Sequence, residues 1–316
     1  MTGQRLVAVL MTVLLAGCGS AAATTGPAPA GVRAAPEHPY AVGLREFTVD
    51  PDGPRPLPVT VWYPVDPTAS AGPVTALSAA PDVRAAAPVA AGRFPVVVFS
   101  HGLRSLPALH AQLTTRWAAA GFVVVAPTYP RTNLRARGFT RDDVRNQPAD
   151  AWRLVRHLVR LGARPGDPLG AHLAVDRFAA AGHSAGGHTT LGMFAAGQPF
   201  PVRAGIVIAG GRPVAGLARP LAPMLFVHGA ADRVVPESIG RAAYARCLGP
   251  AAFLSLTGQG HGEYLGPGRP GFTQVLATTT DFLRWTLYAD RAALRRLPTD
   301  AAAPGTTTFT TRSLPT

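Results

Sequence analysis

The chain has 316 residues, 47% of them hydrophobic, and 30 basic against 17 acidic residues give it a net charge of +13. Every basic residue is arginine, so the lysine-dependent phosphate loop of nucleotide hydrolases is excluded, and two cysteines cannot build a thiolate metal cluster. The length suits one large α/β domain with a tail at either end.

The N-terminus reads as a processing segment. Arg5 supplies a positive start, and Leu6 to Ala16 is an apolar run of secretory length, too short to span a bilayer. Leu15-Ala16-Gly17-Cys18 resembles the lipobox of bacterial lipoprotein signal peptides. That resemblance implies cleavage before Cys18, lipidation of its thiol and attachment to the outer face of a bacterial cell membrane. Residues 1–17 are then the signal peptide and 18–40 a flexible Ala/Thr/Pro tether. With Cys18 acylated, Cys247 has no disulfide partner, and the exported domain must be stable by its core alone.

Between residues 41 and 290 short apolar runs alternate with longer helix-like segments, the pattern of a mostly parallel sheet covered by helices on both faces. Strands are expected at 44–49, 59–63, 95–100, 122–126, 177–181, 204–208, 223–228 and 251–256. Helices are expected at 106–120, 142–161, 185–196, 236–248 and 272–289. In the second helix Leu154, Val155, Leu158 and Leu161 recur at the spacing of a buried helical face. No helix separates the first two strands, which predicts an antiparallel opening hairpin. Residues 291–316 read as a tail, poorly ordered after Pro298.

Gly182-His183-Ser184-Ala185-Gly186 lies between the fifth strand and the third helix. A Gly-x-Ser-x-Gly turn in that context is a nucleophile elbow, whose glycines make room for a serine held on a strained turn. The partners of such a serine follow in the order Ser, acid, His. Between Ser184 and the last histidine the acids are Asp232 and Glu237, and after Asp232 the remaining histidine is His261. Asp232 falls just beyond the seventh strand, where a carboxylate can orient an imidazole; its plain alternative is to cap the next helix. Glu237 follows Pro236 and reads as a first-turn helix acid. His261, in a glycine-rich loop after the eighth strand, suits a proton-exchanging base. His101-Gly102-Leu103 follows the third strand, which assigns the backbone N–H groups of Leu103 and Ala185 as oxyanion donors; a simple tight turn is the alternative. His183 and His188 flank the serine, but a spacing of five does not put them on one helix face, so no metal and no cofactor are expected.

The segments Val96-Val97-Val98-Phe99-Ser100-His101-Gly102-Leu103 and Gly182-His183-Ser184-Ala185-Gly186-Gly187 resemble the α/β-hydrolase superfamily. They are most similar to the branch of platelet-activating-factor acetylhydrolases, chlorophyllases and dienelactone-hydrolase-like esterases, with cutinases alike in layout. The resemblance implies hydrolysis of carboxylic esters, lipid or polyester esters among them, through a serine acyl-enzyme. The eight expected strands with the elbow after the fifth match the α/β-hydrolase order. The 14 residues Ala209 to Ala222 between the expected sixth and seventh strands are too few for a helical lid, which predicts no large cap and short acyl or aryl esters as substrates. The chain departs from cutinases in carrying Leu103 where they have an aromatic residue, and from dienelactone hydrolases in carrying Ser184 where they have cysteine. A serine peptidase or amidase, and a non-catalytic envelope-binding lipoprotein, are the competing readings. Expected partners are a small-molecule or lipid ester and, through the anchor, the membrane. The arginines are spread along the chain as if replacing lysine by composition, so nucleic acid is not expected.

Overall fold

The computed structural model describes residues 34–65, 83–195, 200–211 and 222–315. The signal segment, Cys18 and most of the tether lie outside the described residues, so the expectations for them are neither met nor contradicted.

Valine- and alanine-rich runs with no polar interruption set the centre of the molecule. β1 (Ala41–Val49) and β2 (Leu57–Val65) form the antiparallel hairpin expected. The three-residue β3 (Val83–Ala85) is followed by β4 (Phe94–Ser100), buried at every residue. A 3-10 turn at Pro107–His110 leads into α1 (Ala111–Ala119) and then β5 (Val123–Pro127). A second 3-10 turn, Arg141–Asn146, leads into α2 (Gln147–Gly162). The elbow is built from β6 (Leu173–His183) and α3 (Ala185–Gly192). After it come β7 (Val202–Ile208), β8 (Met224–Gly229), α4 (Glu237–Arg246), β9 (Ala251–Leu256) and α5 (Phe272–Tyr288).

The chain past residue 290 departs from expectation. It does not trail away: α6 (Arg291–Asp300) starts on Asp290, whose carboxylate accepts from the amides of Ala292 and Ala293 at 2.8 and 3.0 Å. β10 (Thr307–Arg312) then pairs antiparallel with β9 along its whole length. With β3 this makes a ten-stranded sheet, not eight, in the order β10-β9-β8-β7-β6-β4-β5-β2-β1-β3. Both additions are edge strands, where half-exposed polar side chains suffice and apolar periodicity is weak. α1 and α2 also start later than expected, because each segment opens as a 3-10 turn, at Pro107–His110 and Arg141–Asn146, with Pro107 beginning the first and Pro148 in the first turn of α2.

β4 to β9 are parallel, with helices on both faces. Trp152, Leu154, Val155 and Leu158 of α2 pack on one face with Val96, Val98 and Phe178. Trp117 of α1 and Val275, Phe282 and Leu283 of α5 pack on the other with Val97, Phe99 and Val124. Connections leave β4 toward β5 on one side, while β6 lies on its other side. This reversal opens a crevice at the carboxyl ends of β4 and β6, the usual ligand position in such sheets. Among the described residues no helix is long and apolar enough to cross a membrane.

Candidate active site

β6 ends at His183, and the chain turns sharply at the next residue. Ser184 has φ 56° and ψ −118°, a left-handed backbone rarely adopted by a non-glycine residue. Its amide donates to the carbonyl of Ile208 on β7 at 2.9 Å, and its carbonyl accepts from Gly187 at 2.9 Å, so both flanks of the turn are pinned. The motif glycines are there for room. A Cβ on Gly182 would collide with the carbonyl of Gly186, and one on Gly186 with the carbonyl of Ser100. The elbow is thereby wedged against the end of β4.

Around this serine the structure brings together three of the residues singled out from the sequence. Ser184 Oγ and His261 Nε2 are 2.8 Å apart, and His261 Nδ1 and Asp232 Oδ2 are 2.7 Å apart. His261 reaches in from the loop after β9, and Asp232 from the turn after β8. The Asp232 side chain is fully buried, whereas that of His261 is 22% exposed. Burial alone would raise the Asp232 pKa. The hydrogen bonds from His261 and from the amides of Val235 and Val234, at 2.9 and 2.8 Å onto Oδ1, outweigh it and hold the carboxyl below its ordinary range. Glu237 is turned elsewhere, accepting from Ser255 Oγ and, at 2.9 Å, from Arg241 Nε.

The loop after β4 lies beside the elbow. A Cβ on Gly102 would stand 3.1 Å from the Ser184 Cβ, so the backbone of Gly102 and Leu103 passes directly alongside the serine. His101 fixes that loop. Its Nε2 accepts from the amide of Tyr129 at 3.1 Å, which leaves Nδ1–H to donate to the carbonyl of Gly102 at 2.7 Å. Burial keeps this ring neutral, with its pKa lowered to about 4. Arg104, after Leu103, has φ 49° and donates its amide to the carbonyl of Thr132 at 2.7 Å.

Sequence reasoning treated His183 only as half of an unconvincing metal pair. In the structure its Nε2–H donates to the backbone carbonyl of His261 at 2.5 Å, and its ring lies 4.9 Å from that of His261. Desolvation lowers its pKa to about 4, so a neutral ring faces His261. The His110 ring lies tilted behind it at 5.3 Å. On the far side His228 Nε2 lies 3.4 Å from Asp232 Oδ2 and donates to Val235 at 2.8 Å. The adjacency of His183 to the serine in sequence was the available signal for its role. Nothing local pointed to His228 or His110.

Together these groups can do nucleophilic chemistry: a hydroxyl within reach of an imidazole, an imidazole oriented by a buried carboxylate, and a glycine-bearing loop beside the hydroxyl. A family comparison bears on the same region. The Chlorophyllase family matches residues 64–223, a span containing His101-Gly102-Leu103 and the elbow and ending before Asp232 and His261. No curated protein matches the chain. The chain belongs to the Chlorophyllase family, a family of serine ester hydrolases of the α/β-hydrolase type.

Proposed function

We propose that this protein hydrolyses carboxylic esters with Ser184 as nucleophile, His261 as general base and acid, and Asp232 as the group that orients His261. The observation that carries the reading is the unbroken hydrogen-bonded line from Ser184 Oγ through His261 to Asp232 Oδ2, at 2.8 and 2.7 Å, on a strained elbow. In the first step Ser184 Oγ attacks the ester carbonyl carbon as its proton passes to His261 Nε2. The carbonyl oxygen becomes an oxyanion facing the backbone N–H groups of Leu103 and Ala185. Collapse breaks the ester C–O bond, and His261 returns the proton to the departing alcohol. Water, deprotonated by His261, then cleaves the acyl-serine by the same route. Every group required is supplied by the chain, so the reading needs no cofactor. Short acyl and aryl esters are its expected substrates.

The same proposal places the domain at the cell envelope through a lipidated Cys18. Globomycin, or Cys18→Ser, should move the protein from the membrane fraction to a soluble or unprocessed form; an unchanged mass at the mature N-terminus would overturn the anchor. For the chemistry, Ser184→Ala should abolish both p-nitrophenyl ester hydrolysis and labelling by a fluorophosphonate, with a fall on the order of 10⁶ in kcat by the serine-protease precedent. Retention of a tenth of the activity by a folded variant would reject Ser184.

A further inference from the structure

The loops at the carboxyl ends of the parallel strands carry a feature that ester hydrolysis does not use. Among the described residues, three of the large apolar side chains most exposed to solvent stand there. Leu109 follows β4, Leu134 follows β5 and Val234 follows β8, and they are 62, 52 and 69% exposed. Arg131, Arg135 and Arg137 are exposed beside Leu134, and the sequence has no acidic residue from Val83 to Arg141. These arginines are neighbours in sequence, and the fold sets their loop at the carboxyl end of the sheet, the end that also holds Ser184. On the same loops the exposed acids are Asp142 and Glu263.

The rim is held in shape rather than merely decorated. The amide of Arg104 donates to Thr132 at 2.7 Å, and that of Leu134 to Ser105 at 3.0 Å, which laces the loop after β4 to the loop after β5. Asn133 closes the turn from within: Nδ2 donates to the carbonyl of Tyr129 at 2.7 Å, and Oδ1 accepts from the amide of Arg135 at 2.8 Å. Leu134 is thereby presented at the tip of a fixed turn with a guanidinium following it. The guanidinium of Arg104 lies 4.0 Å over the ring of Phe139 and covers it.

We infer that this rim docks on an anionic phospholipid surface, with Arg131, Arg135 and Arg137 on headgroup phosphates and Leu134 and Leu109 at the acyl boundary. Guanidinium groups pair in bidentate fashion with phosphate, and exposed aliphatic side chains set among them match the layering of a bilayer interface. A nucleic-acid strand would call for exposed aromatic rings between the cations, and the rim offers leucines instead. Docking in this orientation turns the crevice at β4 and β6 toward the lipid. The inference stands on the rim's own chemistry and does not require the hydrolytic reading.

The test is sedimentation of the full chain with vesicles of phosphatidylcholine, alone or mixed with phosphatidylglycerol. Cys18→Ser is present throughout so that no acyl chain contributes. All variants share this background, and the N-terminal segment therefore cancels in every comparison. Binding should favour the anionic vesicles and weaken with salt. Arg131→Gln/Arg135→Gln/Arg137→Gln should weaken it on the order of a hundredfold, and Leu134→Ser several-fold. Arg160→Gln/Arg164→Gln/Arg246→Gln, which removes the same charge from exposed positions on α2, α4 and the turn after α2, should stay within about twofold of the parent. Ser184→Ala should bind like the parent, so the outcome is read separately from catalysis. Equal loss in the two triple variants would mean that net charge alone attracts the protein, and would overturn the inference. So would indifference to phosphatidylglycerol, or single-stranded DNA binding as tight as vesicle binding and insensitive to Leu134→Ser.

Discussion

His183 Nε2 donates to the backbone carbonyl of His261 at 2.5 Å, so the residue that precedes the nucleophile holds the loop that carries its proposed base. The two lie 78 positions apart in sequence. The glycine after His261 makes the contact possible, since a Cβ on Gly262 would stand 2.9 Å from that nitrogen. His183→Phe keeps a flat ring and removes the donor. The imidazole of His261 would then lose its backbone restraint, and a displacement of about 1 Å costs up to about 10²-fold in rate. We expect kcat to fall about 10- to 100-fold with KM little changed, and fluorophosphonate labelling to slow in parallel. Wild-type kcat in this variant would show that the contact does not position the base.

Asp232 and Glu237 were the two acids that chain order allowed, and the structure separates them. Asp232 Oδ2 meets His261, whereas Glu237 is bound to Ser255 and Arg241. Asp232→Asn leaves the shape but favours the wrong imidazole tautomer, a loss of about 10⁴ in kcat by the serine-protease precedent. Glu237→Gln should stay within a few-fold of wild type. Kinetics on a single p-nitrophenyl ester decide the matter, and reversed phenotypes would make Glu237 the acid.

Much of this was legible in sequence because burial was. β9 begins and ends where its apolar run, broken by Ser255, does, at Ala251 and Leu256. β6 begins four residues before the strand expected at 177–181, because Leu173–Asp176 joins the sheet across an irregularity at Pro95 and Val96. The elbow was legible because its glycines are written into the motif by lack of room, Gly182 against the carbonyl of Gly186 and Gly186 against that of Ser100. β3, two of whose three residues are exposed, and β10, mostly threonine, left no apolar period to read. The lacing of Arg104 to Thr132 and the clamp of His183 on His261 were invisible for another reason. Each depends on backbone groups that meet only after the sheet has assembled.

A carboxyl pair far from the elbow gives the fold a pH dependence. Asp300 of α6 borders a cleft of about 450 Å³ lined also by Pro36, Asp281, Arg284 and Arg296. Burial first, and then the neighbouring carboxylate of Asp281, push Asp300 up to about 7, while Arg296 Nε holds Asp281 at 2.6 Å. An unfolded aspartate titrates near 4. Between about pH 4 and 7 the folded chain therefore binds the extra proton, and stability falls as pH rises through that interval. Asp300→Asn imitates the protonated form. Because the site is partly open to solvent, the gain should be modest: Tm about 2–4 °C above wild type at pH 8, and no difference near pH 4. A constant offset at both pH values would assign the effect to packing rather than to the proton.

The acyl-chain length that the proposed site accepts is expected to depend on a short connection. Between β7 and β8 the chain has the 15 residues Ala209 to Pro223, with three glycines and three prolines. Residues 212–221 lie outside the described part; a lid of two helices needs about 20 residues or more, and the connection has 15. A crevice without such a lid has little apolar wall against which to bury a long chain. Each methylene left in water forgoes about 0.8 kcal/mol of binding. Binding energy should therefore stop growing after roughly six to eight carbons, while the cost of ordering the chain continues to rise. We expect kcat/KM to fall from butyrate to palmitate p-nitrophenyl esters, with no jump in rate when a neutral ester passes its solubility limit. A rise toward palmitate, or a jump at the neutral oil–water boundary, would require another segment to wall the site, and residues 66–93 are the stretch with the length to do so.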